Sequence, residues 1–178
     1  MEFKTKILDG IAIKRSLIRI THEIIERNKG VKDICLLGVK RRGVPLARML
    51  QENIHAFEGV LVPLGYIDPT RHRDDISDEI KEIKSGDCSF PCEIKDKTVI
   101  IVDDVLYTGR TARAAIEAVF AFNRPKAIQL AVLIDRGHRE LPFKPDYVGK
   151  NVPTSSTEKI VLKLFETDGE DGAFIYEL

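Results

Sequence analysis

The stretch Val99-Ile100-Ile101-Val102-Asp103-Asp104-Val105-Leu106-Tyr107-Thr108-Gly109-Arg110-Thr111 constrains the fold more than any other part of the chain. Its apolar start reads as a strand buried on both faces, and such strands belong to parallel sheets covered by helices. The strand runs straight into two carboxylates, then a turn with a hydroxyl and a glycine, then a helix start. Backbone N–H groups at a helix N-terminus attract a phosphate, and Gly109 lets the backbone come close to it. The hydroxyls of Thr108 and Thr111 add hydrogen bonds. Asp103 and Asp104 beside them suit a vicinal diol or a hydrated magnesium ion. A lone Asp-Asp pair is more often a helix cap; the ordered string carries the reading. It is not a Walker loop, because the Gly-x-x-x-x-Gly-Lys spacing is absent.

The rest of the chain repeats the same grammar. Asp9 caps an expected helix from Ile11 to Asn28, stopped at Gly30, with Ile13, Leu17, Ile20 and Ile24 at helical spacing. Ile34 to Val39 reads as a buried strand leading through a polar turn into a helix from Val44 to Asn53, and Val60 to Ile67 reads as a further strand. Residues 68–93 are charged and hold Pro69, Gly86 and Pro91. That is too long for a tight connection, and loops of this size are usually functional or mobile; Ser77 to Lys84 can form a helical turn or two. A helix from Thr111 to Phe122 and a strand from Ala127 to Ile134 follow, then short strand-like pieces at Tyr147 to Gly149, Ile160 to Leu164 and Ala173 to Tyr176. Alternating strands and helices call for an α/β fold of one domain with a mostly parallel central sheet. Ligands of such sheets sit beyond the carboxyl ends of the strands, which points at residues 40–43, 103–111 and 135–139.

Charge narrows the partners. Lys+Arg and Asp+Glu balance at 28 each, so any nucleic-acid role must rest on a local patch. The start lacks the apolar run of a secretory signal, and no stretch approaches the length of a membrane span. Cys35, Cys88 and Cys92 are sparse and odd in number, which fits reduced thiols and a cytoplasmic protein.

The 99–111 string resembles the phosphoribosyl pyrophosphate signature of type I phosphoribosyltransferases. Within them the chain looks most like the bacterial family that combines pyrimidine operon attenuation with uracil phosphoribosyltransferase activity. The likeness extends over Ile20 to Gly30, Gln129 to Pro142 and Asp146 to Ser155, and so over nearly the whole chain. It implies the type I phosphoribosyltransferase fold over residues 1–178, with a small hood built from about 140–178 and the N-terminus. Asp103 and Asp104 would hold the ribose hydroxyls, and Thr108 to Thr111 the 5′-phosphate. Val39, Lys40, Arg41, Arg42 and Gly43 would form the pyrophosphate loop, where cations neutralise the leaving group. Residues 68–93 would be the mobile catalytic loop, with Arg71, His72, Arg73 and Asp74 closing over the substrates and excluding water. Magnesium would arrive with the substrate, with no direct protein ligand assigned. Arg136 and Val148 match positions over the base. Tyr107 stands where the purine enzymes carry an acid, which argues for a pyrimidine.

Arg15, Arg19 and His22 form a basic stripe on one face of the first helix, flanked by Lys14 and Arg27. On charge alone the stripe reads as a solvated face. The resemblance implies instead a surface for a stem-loop of the pyrimidine operon mRNA, made of Arg15, Arg19, His22, Arg27, Arg139, Lys144, Lys150 and Lys159. Ile18 departs from the pattern, standing where a small polar residue is expected. The expected partners are therefore phosphoribosyl pyrophosphate, uracil, UMP or UTP, that RNA, and further copies of the chain in a homodimer or higher oligomer. The alternative is a salvage phosphoribosyltransferase with no RNA role.

Overall fold

The computed structural model describes residues 1–84 and 86–178. Its centre is a five-stranded parallel sheet in the order β3 (Leu64–Ile67), β2 (Ile34–Val39), β4 (Thr98–Leu106), β5 (Ala127–Asp135), β6 (Tyr147–Asn151). Successive residues of a strand point to opposite faces, and the two faces build two cores. Leu36, Ile100 and Ala131 turn toward α1 (Gly10–Arg27) and α2 (Gly43–Glu58), while Leu37, Ile101 and Val132 turn toward α4 (Arg110–Phe122). Ile100 and Ile101 are wholly buried. Truncating either to alanine would cost about 2–5 kcal/mol.

β1 (Glu2–Asp9), β8 (Gly172–Glu177) and β7 (Glu158–Lys163) make a separate antiparallel sheet, with the short α5 (Phe165–Asp168) between β7 and β8. Leu8, Ile160, Leu162 and Ala173 of this sheet join the core under α1. Tyr147–Asn151 does not belong to it: this segment pairs with β5 as the edge of the central sheet, so besides β1 the chain-end sheet draws only on residues from Glu158 onward.

Several boundaries differ from the periodicity. The third strand begins at Leu64 rather than Val60. Pro63 has no N–H for a ladder, Val60 and Leu61 are exposed, and Val62 is tucked into the core beneath α2. α2 continues past Asn53 to Glu58 and closes at Gly59. Its last turn carries Phe57, which stacks on His22 of α1 with ring centroids 4.5 Å apart. β4 runs on to Leu106, so Asp103 and Asp104 lie within the strand and Asp103 pairs with Val132. The cap of α1 is as read: Asp9 accepts from the Ala12 N–H at 2.7 Å.

Candidate active site

Three turns meet at the carboxyl edge of the sheet. The first leaves β2 at Val39 and enters α2 at Gly43. A β-carbon on Gly43 would lie 2.2 Å from the Val102 carbonyl oxygen, so the helix start presses against β4 one residue before Asp103. The Lys40 N–H donates to the Ile67 carbonyl at 2.9 Å, and its ammonium lies 4.4 Å from the centre of the Tyr66 ring. The Lys40–Arg41 peptide is cis, and Arg41 is exposed. Arg42 forks onto α5, donating to Thr167 at 2.8 Å and to both carboxylate oxygens of Asp168. That bond holds the Asp168 carboxyl well below the usual carboxylate range. The turn is thereby anchored at both ends, on β3 and on α5.

The second turn carries the acids. The Asp103 carboxylate accepts the Asp104 N–H at 2.9 Å, and the Asp104 carboxylate accepts the Val105 N–H at 2.8 Å. Burial pushes both carboxyls up, Asp103 furthest because Asp104 adds a like charge. Arg73 opposes the shift at Asp103 and Arg42 at Asp104. After β4, Gly109 takes a left-handed φ of 94° and starts α4. The first turn of a helix leaves N–H groups without intrahelical acceptors. Here the Arg110 N–H turns to the Thr108 hydroxyl at 3.3 Å. Thr111 and Ala112 follow it, which makes the helix start a phosphate-sized cradle beside the acids.

The long segment after β3 is folded onto this cradle. Asp68 fastens its two ends, accepting the Thr70 N–H at 2.9 Å and the Gly86 N–H at 3.0 Å. Ser89 then bridges back to Tyr66 through two backbone bonds. Arg73 pairs with Asp75 and reaches the Thr111 hydroxyl at 3.2 Å. Asp74 pairs with Arg110, Arg113 donates to the His72 carbonyl at 2.8 Å, and Arg71 is exposed. α3 (Asp78–Lys84) is the helical piece expected there, and Ser85 of the expected 68–93 loop lies outside the described residues.

The third turn leaves β5 at Asp135 and walls a cavity of about 460 Å³ lined by Arg136, His138, Asn151 and Thr154 among others. Arg136 is buried: its side chain donates to the Thr154 hydroxyl at 3.0 Å and the Ser155 carbonyl at 3.1 Å. Its guanidinium lies 3.9 Å from the centre of the Tyr107 ring, which meets His138 edge-on at 6.1 Å. Tyr107 and Arg136 thus form a flat wall beside the acids. Of the two residues expected over the base, Arg136 lines this cavity and Val148 does not. The Val148 carbonyl instead accepts two bonds from Arg19 at 3.1 Å. Neither Asn151, the last residue of β6, nor Thr154 in the loop after it stands out in the sequence, and His138 does so only as part of the 135–139 strand-end segment. Their nearness to a strand end was the one available signal.

The eight basic residues read as an RNA surface fare unequally. Arg15, Lys144 and Lys159 are exposed, and no partner is present for them among the described residues. Four others are engaged within the protein. Arg19 bonds Glu23 and the Val148 and Gly149 carbonyls, and Arg27 pairs with Asp146 at 2.7 Å. Arg139 bonds Asp135 and the Phe143 carbonyl on either side of it and the Tyr107 carbonyl in the turn after β4, and Lys150 donates to the Ile7 carbonyl at 3.1 Å. Long cations find acceptors wherever a strand end or loop leaves carbonyls unpaired, and helical spacing cannot foresee this. Among the described residues no helix is long and apolar enough to cross a membrane, and no group of three or more metal-binding side chains is present.

Comparison with known proteins gives the kinship of the chain. The model of the phosphoribosyl transferase domain matches residues 4–164. The chain is 58% identical over 177 residues to a protein of Clostridium botulinum named bifunctional protein PyrR, covering 99% of this chain and 98% of that one. It is 57% identical over 178 residues to the protein of the same name from Clostridium acetobutylicum, covering 100% of both. Among solved structures, a hypoxanthine-guanine phosphoribosyltransferase of Bacillus anthracis superposes with a TM-score of 0.72 at 19% identity over all of both chains. The Trypanosoma cruzi hypoxanthine phosphoribosyltransferase in complex with IMP gives 0.70 at 20% identity, covering 99% of this chain and 92% of that one. At those identities the structures speak for the fold alone, whereas the family match and the close relatives speak for kinship. The chain belongs to the phosphoribosyl transferase family and, within it, to the group of proteins named bifunctional protein PyrR.

Proposed function

We infer that this protein transfers the phosphoribosyl group of phosphoribosyl pyrophosphate to uracil, forming UMP and pyrophosphate, and that it regulates pyrimidine genes by binding their mRNA under control of UMP or UTP. The observation that carries the enzyme reading is the meeting, at one sheet edge, of an acid pair, a cationic turn and a helix start beside a wall of Tyr107 and Arg136. The close relatives called bifunctional support the second role.

The assigned chemistry follows from charge and position. The Asp103 and Asp104 carboxylates accept hydrogen bonds from the two ribose hydroxyls and place negative charge beside the ring. The N–H groups at the start of α4, which lack intrahelical acceptors, hold the 5′-phosphate together with Thr108 and Thr111. Displacement occurs at the anomeric carbon: the C–N bond to the base forms as the C–O bond to pyrophosphate breaks, and the base N–H proton is released. Lys40, Arg41 and Arg42 stabilise the charge that collects on the leaving group. Arg73 and Asp74 sit on the segment that covers the cradle, where exclusion of water protects the oxocarbenium-like ribosyl centre from hydrolysis. Arg71 extends this cover. Asp103 and Asp104, which belong to no group of three or more metal-binding side chains among the described residues, fit a hydrated magnesium ion brought in with the substrate. Held through water by Asp103 and Asp104, such an ion would supply positive charge to the leaving pyrophosphate. A base with no charge is read by the Tyr107–Arg136 wall and by backbone groups of the 135–154 cavity. The compartment is the cytoplasm, where thiols such as Cys35 stay reduced, and the working form is a homo-oligomer.

The competing reading, a salvage enzyme with no RNA role, draws on the internal pairing of Arg19, Arg27, Arg139 and Lys150. Turnover with uracil, hypoxanthine, guanine and orotate, beside binding of a leader stem-loop with and without UMP, separates the possibilities. UMP formed from uracil alone, with UMP-dependent RNA binding, is the expected result. Activity on a purine would overturn the assignment of Tyr107, and loss of the RNA arm alone would leave the salvage enzyme.

A further inference from the structure

The sheet edge opposite the active site carries a second charged feature. α1 ends there at Arg27, β2 and β4 begin there, and Lys126 leads into β5. Arg27, Lys29, Lys32 and Lys126 line a cavity of about 420 Å³ against one acid, Asp33. A neighbouring cavity of about 290 Å³ shares Lys126 and adds Lys95 and Arg124 against Asp96.

Cations near helix ends often do no more than complement the helix dipoles, and α1 and α4 both end at this edge. That explanation falls short in magnitude. Each helix terminus carries roughly half a negative charge. Setting both ends, Asp33, Asp96, Arg27's partner Asp146, and Glu93, whose carboxylate accepts from Asn123 in the second cavity, against the six cations leaves about one positive charge over. The chain as a whole has a formal charge of zero, so the excess is segregated here. Among the described residues, Lys29, Lys32 and Lys126 are exposed and enter no ion pair.

We propose that this edge seats the phosphodiester backbone of an RNA strand that runs along α1 and continues past its C-terminal end. The inference rests on the RNA-binding reading above and extends its footprint to residues outside the α1 stripe. Arg27 belongs to both, ending the helix and lining the cavity, so the two surfaces are continuous. The larger cavity falls within the roughly 300–1,000 Å³ of small-ligand sites, enough for a phosphate with its sugar. Its lining has no aromatic ring. Without a stacking platform it contacts the backbone and leaves base identity unread.

The test uses the Lys29→Gln/Lys32→Gln double variant and Lys126→Gln. Each is probed with a pyrimidine-operon leader stem-loop plus UMP, and with a hairpin of scrambled loop sequence, between 50 and 200 mM salt. The double variant is expected to lose about tenfold in affinity for both RNAs at low salt, with a log–log salt slope shallower by about two and Lys126→Gln by about one. Uracil turnover should match the parent, because these residues are at the far edge of the sheet. Parental RNA affinity in these variants, alongside weakened binding by Arg15→Ala, would overturn the inference and leave the RNA-binding reading intact. Failure of the parent itself to bind either RNA would remove that reading and this one together. Inorganic phosphate that binds the parent but not the double variant, with RNA affinity equal in both, would assign the cavity to free phosphate and overturn the RNA assignment.

Discussion

Gly43→Ala tests whether the spacing of the pyrophosphate turn from the acids limits catalysis. The new β-carbon would lie 2.2 Å from the Val102 carbonyl oxygen and 3.3 Å from the Asp103 α-carbon. Ordinary contact begins near 3.4 Å, so helix and strand must separate by about 1 Å. Both partners are backbone and neither can rotate away. Overpacking of this kind costs about 1–3 kcal/mol, or roughly 2–12 °C in melting temperature for a chain of this size. The separation displaces Lys40 to Arg42 from the acid pair, and a misplacement of about 1 Å lowers turnover about a hundredfold. Gly59→Ala supplies the control. It closes the same helix, has a φ of 68° and meets nothing within 4 Å. Its strain should cost about 1–2 kcal/mol with no kinetic effect. Melting curves and kcat/KM for phosphoribosyl pyrophosphate are the assays. Parental kcat/KM in Gly43→Ala would refute the argument, as would an equal kinetic loss in Gly59→Ala.

Three further outcomes follow from the same contacts. Asp104→Asn should abolish turnover while leaving RNA binding. Because burial raises the carboxyls of both acids, the ligand-free parent is penalised above the ordinary carboxylate pKa and the penalty disappears as pH falls below it; the variant should therefore melt higher than the parent at pH 7 and converge with it toward pH 4, and a difference that ignores pH would contradict this. Asp168→Asn removes the charged partner of Arg42 and should raise the KM for phosphoribosyl pyrophosphate severalfold with a smaller change in kcat; an unchanged KM would show that the α5 anchor is dispensable. Arg15→Ala should weaken RNA binding and spare turnover, whereas Arg19→Ala should also raise the KM for uracil, because Arg19 holds the β6 carbonyls at Val148 and Gly149; identical kinetics in the two variants would count against that coupling.

Much of this protein is written locally. A run of apolar residues ending in Asp103-Asp104 and passing through Thr108-Gly109 into a helix reads as a buried strand with an acid pair and a helix start at its end, because backbone sterics, strand burial and helix-end dipoles act over a few residues. The cap at Asp9, the cationic turn after β2 and the alternation that calls for a parallel sheet are legible for the same reason. What lies between distant segments is not. Pro63 delays β3, the edge position of Tyr147–Asn151 depends on pairing with β5, and the Tyr107–Arg136 wall joins two loops. Above all, tertiary structure decides what the long cations do. Arg19, Arg42, Arg73 and Arg139 each reach an acceptor on another element or loop, while Arg15 remains in solvent, and Lys29 and Lys32 meet Lys126 only when two distant chain segments come together. Sequence sets the charge and reach of such side chains; the partner is set by which backbone carbonyls and carboxylates the fold brings within that reach.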